Sequence, residues 1–220
     1  MLFRSKISLF LHNPECSQDC CDGIINSLSS DYDISLFSEE DVDRDNFFDG
    51  VDIIAFPGGI GDSDSNYKFF TRRRANKIAK FVENGGKYLG ICMGAYWADQ
   101  WYFDIVDDVR AVQYIKRPNA DVRRSYGTVT PVVWNGKETN MYFYDGCSLI
   151  GDETKFKTIA RYSNGDPMAI IKGTVGLIGC HPESSQWWYE KPWQYINKHW
   201  HNNQHHKLLL EFVNELMEQK

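Results

Sequence analysis

Residues 90–94, Gly-Ile-Cys-Met-Gly, constrain the fold more than any other feature of the chain. They follow the apolar residues Tyr88 and Leu89, and they precede 95–98, which are compatible with the start of a helix. A glycine two residues to either side of a cysteine permits a sharp turn from strand to helix. Such a turn lifts the cysteine clear of the backbone at a helix N-terminus, where positive potential favours a negative charge. The pattern therefore predicts a nucleophilic thiol at Cys92.

A second motif lies near the other end of the chain. His181-Pro182-Glu183 follows the apolar run 175–180. A histidine at the mouth of a strand can hold the proton of a thiol, and a carboxylate can fix the tautomer of that histidine. The two motifs together predict a catalytic triad of Cys92, His181 and Glu183.

Composition and charge exclude several classes of protein. The chain has 220 residues and a formal net charge of −6, which argues against broad binding to nucleic acid. No apolar stretch reaches the roughly 18 residues that span a bilayer, and the run 7–11 is too short for a signal sequence. We therefore expect a cytoplasmic protein with a single domain over residues 1–220. Its six cysteines are expected to be free thiols.

Strand and helix patterns alternate along most of the chain. Predicted strands cover residues 6–11, 32–37, 51–56, 87–91, 127–134, 140–144, 158–162, 168–171 and 175–180. A helix is predicted over 19–28, and two further helical faces are marked by residues 75, 78, 79 and 82 and by residues 209, 212, 213 and 216. This alternation predicts an α/β fold with a mostly parallel sheet, and the segment 127–171 predicts an antiparallel extension.

Three predicted strands end in groups that carry chemistry. Gly58 and Gly59 follow the strand 51–56, Cys92 follows 87–91, and His181 follows the last strand. Ligands bind beyond the carboxyl ends of parallel strands, so one edge of the sheet is expected to unite these groups. The backbone N–H groups of Met93 and Gly59 are candidate donors to the negative charge of a tetrahedral intermediate. The predicted reaction is acyl transfer from an amide or a related carbonyl through a thioester.

These motifs resemble the class I glutamine amidotransferase-like superfamily. Within it, the chain is similar to the amidotransferase-like domain at the N-terminus of eukaryotic biotin-protein ligases, and the stretch 56–98 carries most of that likeness. The resemblance implies a flavodoxin-like three-layer sandwich, with a mostly parallel central sheet and an antiparallel extension. It also implies the triad roles of Cys92, His181 and Glu183, and a small-molecule substrate without a metal or cofactor.

Two positions depart from the pattern of that superfamily. Its glutaminases usually carry a glutamine four residues after the nucleophile, where this chain has Tyr96. In the intracellular-protease branch a histidine commonly follows the nucleophile, where this chain has Met93. Glutamine is therefore an open substrate assignment, and ligation of biotin is not expected from this chain. Asp62, after the glycine loop, is expected either to reach the substrate or to form a turn.

Other features leave alternatives open. A binding or regulatory domain that keeps the pocket without turnover, or an interaction module that uses the aromatic tail around Trp187 and Trp188, fits the same sequence. A partner synthase or a homo-oligomer is also left open. The histidine-rich segment 199–206 is interpreted as an exposed polar stretch rather than a metal site. Cys16, Cys20 and Cys21 are interpreted as incidental thiols in a loop.

Overall fold

The chain folds around a nine-stranded mixed sheet with helices on both faces. A computed structural model describes residues 4–11, 17–59, 66–192 and 195–220, with the backbone alone at 66 and 67. The strands are β1 (Lys6–Phe10), β2 (Asp33–Phe37), β3 (Ile53–Phe56), β4 (Lys87–Ile91), β5 (Val109–Gln113), β6 (Thr128–Trp134), β7 (Lys137–Phe143), β8 (Cys147–Gly151), β9 (Lys157–Tyr162), β10 (Pro167–Lys172) and β11 (Val175–Ile178). The helices are α1 (Gln18–Leu28), α2 (Asn66–Phe69), α3 (Arg72–Glu83), α4 (Met93–Trp97), α5 (Gln186–Tyr189) and α6 (Gln204–Met217).

One half of the sheet is parallel and the other half is antiparallel. The strand order is β2-β1-β3-β4-β11-β10-β9-β6-β7, and every pair from β2 to β11 is parallel. The pairs from β11 to β7 are antiparallel. The predicted α/β fold with a parallel centre and an antiparallel extension is therefore confirmed.

The two faces of the sheet bury different sets of side chains. In β3, Ile53 and Ala55 join the cluster beneath α1 and α6, whereas Ile54 and Phe56 join the cluster beneath α3 and α4. This alternation follows from the two-residue period of a strand, and burial on both faces explains why β3 is apolar throughout. The sheet and its two helical layers form the predicted three-layer sandwich. Within the described residues, no helix combines the length and apolar character needed to cross a membrane.

A small second sheet was not predicted. β5 and β8 form an antiparallel pair outside the main sheet, and they contribute Val109, Cys147 and Leu149 to the core on the α3 and α4 face. The segment between β7 and β8, residues 144–146, crosses above the end of β4. This second sheet matters because it fixes that crossing segment over the site described below.

Gly94 provides a test of the packing at the start of α4. A side-chain carbon at this position would overlap the carbonyl oxygen of Phe56, which is backbone that must move. We expect Gly94→Ala to lower the free energy of unfolding by about 3 kcal/mol, measured by denaturant titration. The control is Gly173→Ala, where φ is +53° and no atom lies within 4 Å of the added carbon, so only backbone strain of about 1 kcal/mol applies. Equal losses for the two variants would contradict the steric explanation.

Candidate active site

Three adjacent strands bring the predicted groups to one edge of the sheet. β4 lies between β3 and β11 and pairs with both in parallel register. The glycine loop after β3, Cys92 after β4 and His181 after β11 therefore leave the sheet side by side. A side-chain carbon at Gly58 would lie 2.7 Å from Cε1 of His181, so the glycine loop packs directly against the imidazole.

Cys92 is the single residue between β4 and α4, and its backbone is strained. Its φ of 50° and ψ of −103° lie outside the regions that residues with side chains ordinarily adopt. The conformation is held by three backbone hydrogen bonds: the N–H of Cys92 donates to Ile178 O at 2.8 Å, and its carbonyl accepts from Ala95 N at 3.0 Å and from Tyr96 N at 3.1 Å. The geometry is that of the strand-to-helix turn predicted from the two glycines, at which a nucleophile is typically found.

The imidazole of His181 pairs with the carboxylate of Glu183. Nδ1 of His181 lies 2.8 Å from Oε1 of Glu183, and both side chains are buried. The N–H of His181 donates to the Tyr142 carbonyl at 3.0 Å, which fixes the backbone beside the pair. On the far side, Gly23 of α1 approaches the backbone of Glu183 so closely that any side chain would overlap it. The pair is therefore held between β7 and the first helix.

Charge around His181 favours its protonated form. Burial lowers the pKa of His181, but the charge of Glu183 and that of the Cys92 sulfur, together with hydrogen bonds to Cys20 and Cys92, outweigh it. The pKa of His181 is consequently raised well above its ordinary value. Since Glu183 occupies Nδ1, Nε2 is left to exchange a proton with Cys92.

The remaining predicted binding residues lie around this pair, with one exception. The N–H of Gly94 donates to the Pro57 carbonyl at 3.2 Å, which joins the turn at Cys92 to the glycine loop containing Gly58 and Gly59. Met93, the first residue of α4, is buried beside that loop. Asp62 lies outside the described residues.

A segment that the sequence did not single out covers Cys92. The Cys92 thiol donates to the carbonyl of Tyr144 at 3.5 Å, and the Tyr96 hydroxyl donates to the carbonyl of Asp145 at 3.3 Å. The Gln113 amide donates to both carboxylate oxygens of Asp145, at 3.1 and 3.0 Å. Burial raises the pKa of Tyr96, which therefore remains a neutral donor. Residues 144–146 thus form a strap, and Cys92 beneath it is 5% exposed.

Cys20 is a second thiol beside the imidazole, and its interpretation as a loop residue was wrong. It lies in the first turn of α1, with its sulfur 4.0 Å from Nδ1 of His181. Burial raises the pKa of Cys20 to about 11, so its thiol is protonated at neutral pH. The helix predicted over 19–28 already places Cys20 and Cys21 in a helix rather than a loop, but it does not show that Cys20 faces the imidazole. Cys16 lies outside the described residues.

The aromatic residues that follow His181-Pro182-Glu183 divide into two groups. Trp188 meets the His181 ring edge-on at 5.6 Å between centroids and is buried with Tyr189, so these two wall the site. Trp187 and Tyr195 are exposed.

The interpretation of 199–206 as an exposed stretch was wrong for its buried members. His201 and His205 are buried and stacked at 4.1 Å between ring centroids. His201 and His206 both reach the carbonyl of Ser184, at 3.1 and 3.0 Å. The histidines therefore support the segment that carries Glu183 from behind.

Comparisons with known proteins agree with this geometry. The family model for the N-terminal region of biotin-protein ligases matches residues 12–113, a range that includes Cys92 and ends before His181. A biotin-protein ligase of Schizosaccharomyces pombe is 30% identical over 164 residues, which cover 60% of this chain. The resemblance predicted from the sequence is confirmed. The chain spans about a quarter, 26%, of the length of that curated relative.

Solved structures of amidotransferases share the fold over nearly the whole chain. A glutamine amidotransferase from Thermotoga maritima superposes with a TM-score of 0.66 at 10% identity, covering 99% of this chain and 100% of that one. A glutamine amidotransferase from Methylobacillus flagellatus gives 0.63 at 8% identity, covering 99% and 96%. At such identities the likeness establishes the amidotransferase-like fold, consistent with the flavodoxin-like sandwich described above.

The described thiols near the site should differ sharply in reactivity. At pH 7 we expect iodoacetamide to modify Cys92 at least 10-fold faster than Cys20, Cys147 or Cys180, because only Cys92 combines the strained turn with the Nε2 side of His181. Burial raises the pKa of Cys20 to about 11 and of Cys180 to about 12, and raises that of Cys147 well above its usual value. Peptide mass spectrometry measures the rates. His181→Gln should slow the modification of Cys92 without slowing that of the other three thiols. Equal modification rates for all four thiols in wild type would overturn the assignment.

The raised pKa of His181 also predicts a pH-dependent stability. A group whose pKa is higher in the folded state stabilises the fold fully below its unfolded pKa, 6.5, and loses that effect as pH rises through the folded pKa. The difference in unfolding free energy between wild type and Glu183→Gln should therefore be largest at pH 5–6.5 and shrink above it. Urea titrations of both proteins, at pH values from 5 to well above 6.5, measure this difference in unfolding free energy. The exposed Glu211→Gln should show no such trend, and a pH-independent Glu183→Gln difference would contradict the pairing.

Proposed function

We propose that the protein is a cysteine hydrolase of the amidotransferase-like type, which cleaves a small amide through a thioester on Cys92. The observation that carries this proposal is the backbone of Cys92, at φ 50° and ψ −103°, immediately beside a buried His181–Glu183 pair. Strain of this kind, on the order of 1–3 kcal/mol, persists where the surrounding structure enforces it and is concentrated at functional sites. A cysteine with a purely structural role has no need of it.

In the first half of the reaction, the Cys92 thiolate attacks the carbonyl carbon of the amide. The π electrons move to the carbonyl oxygen, and the N–H groups of Met93 and Gly59 stabilise the resulting negative charge. His181 then donates its Nε2 proton to the amide nitrogen. The C–N bond breaks, ammonia or an amine leaves, and the acyl group remains on sulfur as a thioester.

In the second half, neutral His181 accepts a proton from water as that water attacks the thioester carbonyl. The tetrahedral intermediate expels the Cys92 thiolate, and the carboxylic acid product leaves. His181 is again protonated, which restores the starting ion pair. Glu183 remains ionised throughout, because its role is to orient Nδ1 and to stabilise the imidazolium.

The strap and Tyr96 favour a substrate other than glutamine. Tyr96 occupies the position at which the resembling glutaminases carry a substrate-holding glutamine, and its hydroxyl is used to bind Asp145 O. A phenol has a single donor and a neutral ring, so it offers a flatter and more apolar wall than a carboxamide does. We therefore assign the substrate class as small amides.

A second function is favoured by the cover over Cys92. Its thiol is 5% exposed and hydrogen-bonded to Tyr144 O, so the same fold suits a regulatory domain that binds a small molecule without turnover. The curated relative is a longer protein, a biotin-protein ligase of which the match covers 26%, and this is compatible with a regulatory role for such a domain. The two functions differ in whether Cys92 reacts.

Turnover of a panel of small amides, glutamine included, tests the proposal by release of ammonia or amine. We expect Cys92→Ala to reduce kcat/KM at least 1,000-fold and Glu183→Gln to reduce it about 100-fold, since Glu183 acts through His181. Mass spectrometry of quenched wild type should detect the acyl adduct on the peptide containing Cys92.

The matched control is Cys21→Ser, a buried thiol of α1 whose sulfur lies 3.5 Å from the Phe10 carbonyl. It should retain full turnover of the amide. Ligand affinity that is unaffected by Cys92→Ala, with no adduct and no turnover of any amide in wild type, would reject the hydrolase and favour the regulatory domain.

A further inference from the structure

Three buried side chains form a cluster on the face of His181 that points away from Nε2. The ligand atoms of Cys20, His181 and Glu183 all lie within 4.8 Å of one another. They are 4%, 4% and 0% exposed, so the cluster is shielded from solvent. The hydrolysis proposed above uses the His181–Glu183 pair and gives Cys20 no role.

One atom of this cluster lacks a partner among the described residues. Oε2 of Glu183 is fully buried and makes no hydrogen bond, whereas Oε1 is bonded to Nδ1 of His181. Burying a carboxylate oxygen without a partner is unfavourable, and native structures usually satisfy such a group with water or an ion. The position of Oε2 therefore indicates that the cluster takes a further ligand.

The donor set and spacing fit a zinc ion. Thiolate, imidazole and carboxylate are ligands that Zn²⁺ takes together, at about 2.3, 2.0 and 2.1 Å. In a tetrahedron these bond lengths put nitrogen and oxygen about 3.4 Å apart, and sulfur and nitrogen about 3.6 Å apart. The observed separations are 2.8 Å from Nδ1 to Oε1 and 4.0 Å from Cys20 Sγ to Nδ1. These two separations differ from the tetrahedral ones by about 0.6 and 0.4 Å, and the third, from Cys20 Sγ to the Glu183 carboxylate, lies within 4.8 Å.

We propose that Cys20, Nδ1 of His181 and the Glu183 carboxylate form an inhibitory Zn²⁺ site behind the candidate nucleophile. Binding exchanges the protons on Cys20 and Nδ1 for the metal, and these protons are released to solvent. Metal on Nδ1 leaves a neutral imidazole with its one proton on Nε2, so His181 cannot accept the proton of the Cys92 thiol and the attacking thiolate does not form. The site would couple the activity of Cys92 to the availability of zinc.

The proposed site uses the Cys20 thiolate as its sulfur ligand. It therefore differs from direct binding of the metal to the candidate nucleophile, Cys92. A metal on Cys92 and Nε2 would use the opposite edge of the imidazole and would not involve the Glu183 carboxylate. Gly58 packs against both groups of the proposed site, since a side-chain carbon there would lie 2.8 Å from Cys20 Sγ and 2.7 Å from His181 Cε1. The backbone of the glycine loop therefore closes the cluster from above.

Titration with Co²⁺ alone tests the site, with untagged protein and the absorption band of thiolate-to-cobalt charge transfer as the signal. We expect one equivalent to bind to wild type, and Zn²⁺ to displace it. The band should persist in Cys92→Ser and in the matched control Cys21→Ser. It should disappear in Cys20→Ser, with at least a 10-fold loss of Zn²⁺ affinity by calorimetry. This readout does not depend on amide turnover. The zinc site can therefore be confirmed or rejected separately from the proposed hydrolase activity.

Two results would overturn the proposal. One is a band retained in Cys20→Ser; the other is a band lost in Cys92→Ser, which would place the metal on the nucleophile. If Cys20→Ser does not fold, zinc X-ray absorption of Cys92→Ser decides, because the proposal requires one sulfur at about 2.3 Å in that variant. Absence of sulfur ligation there would exclude the site.

Discussion

The left-handed backbone at Cys92 is the constraint on which the candidate site depends. It places a thiol where β4 stops and α4 starts, and it persists because the N–H of Cys92 is held by Ile178 of the neighbouring strand. The same hydrogen bond fixes the end of β11 and so the exit of the chain toward His181. The strained backbone of Cys92, the pairing of β4 with β11 and the position of the His181 imidazole therefore depend on one another. A change in any of these would move the sulfur relative to the base.

Much of this arrangement is predictable because it is encoded locally. Continuous apolar runs identify β3 and β4, and the two glycines around Cys92 identify the turn between β4 and α4. The turn residues Asn135 and Gly136, both with positive φ, identify the hairpin of β6 and β7. In each case the signal lies within about ten residues, so periodicity and turn chemistry suffice to find it.

The features that were missed depend on contacts between distant segments. Cys20 lies 161 positions from His181, and no local pattern distinguishes a thiol that faces an imidazole from one that fills a core. The strap works through main-chain carbonyls of Tyr144 and Asp145, which any residue type supplies. β5 and β8 form a two-stranded sheet of their own, and their mixture of polar and apolar residues gives a weak periodic signal. Sequence patterns thus locate the nucleophile and its base, whereas the surroundings emerge only from tertiary structure.

The first helix has a consequence for how the protein divides into parts. Gly23 abuts the main chain at Glu183, and Cys20 faces the imidazole, so the wall behind the acid–base pair comes from the opening thirty residues of the sequence. The nucleophile, by contrast, is built entirely by neighbours at the centre of the sheet. A fragment that begins at β3 would keep the strand-to-helix turn at Cys92 but would lose α1, which packs behind Glu183. Loss of the amino-terminal portion would remove the packing against the Glu183 backbone, which makes that portion an integral part of the candidate site rather than a detachable cover.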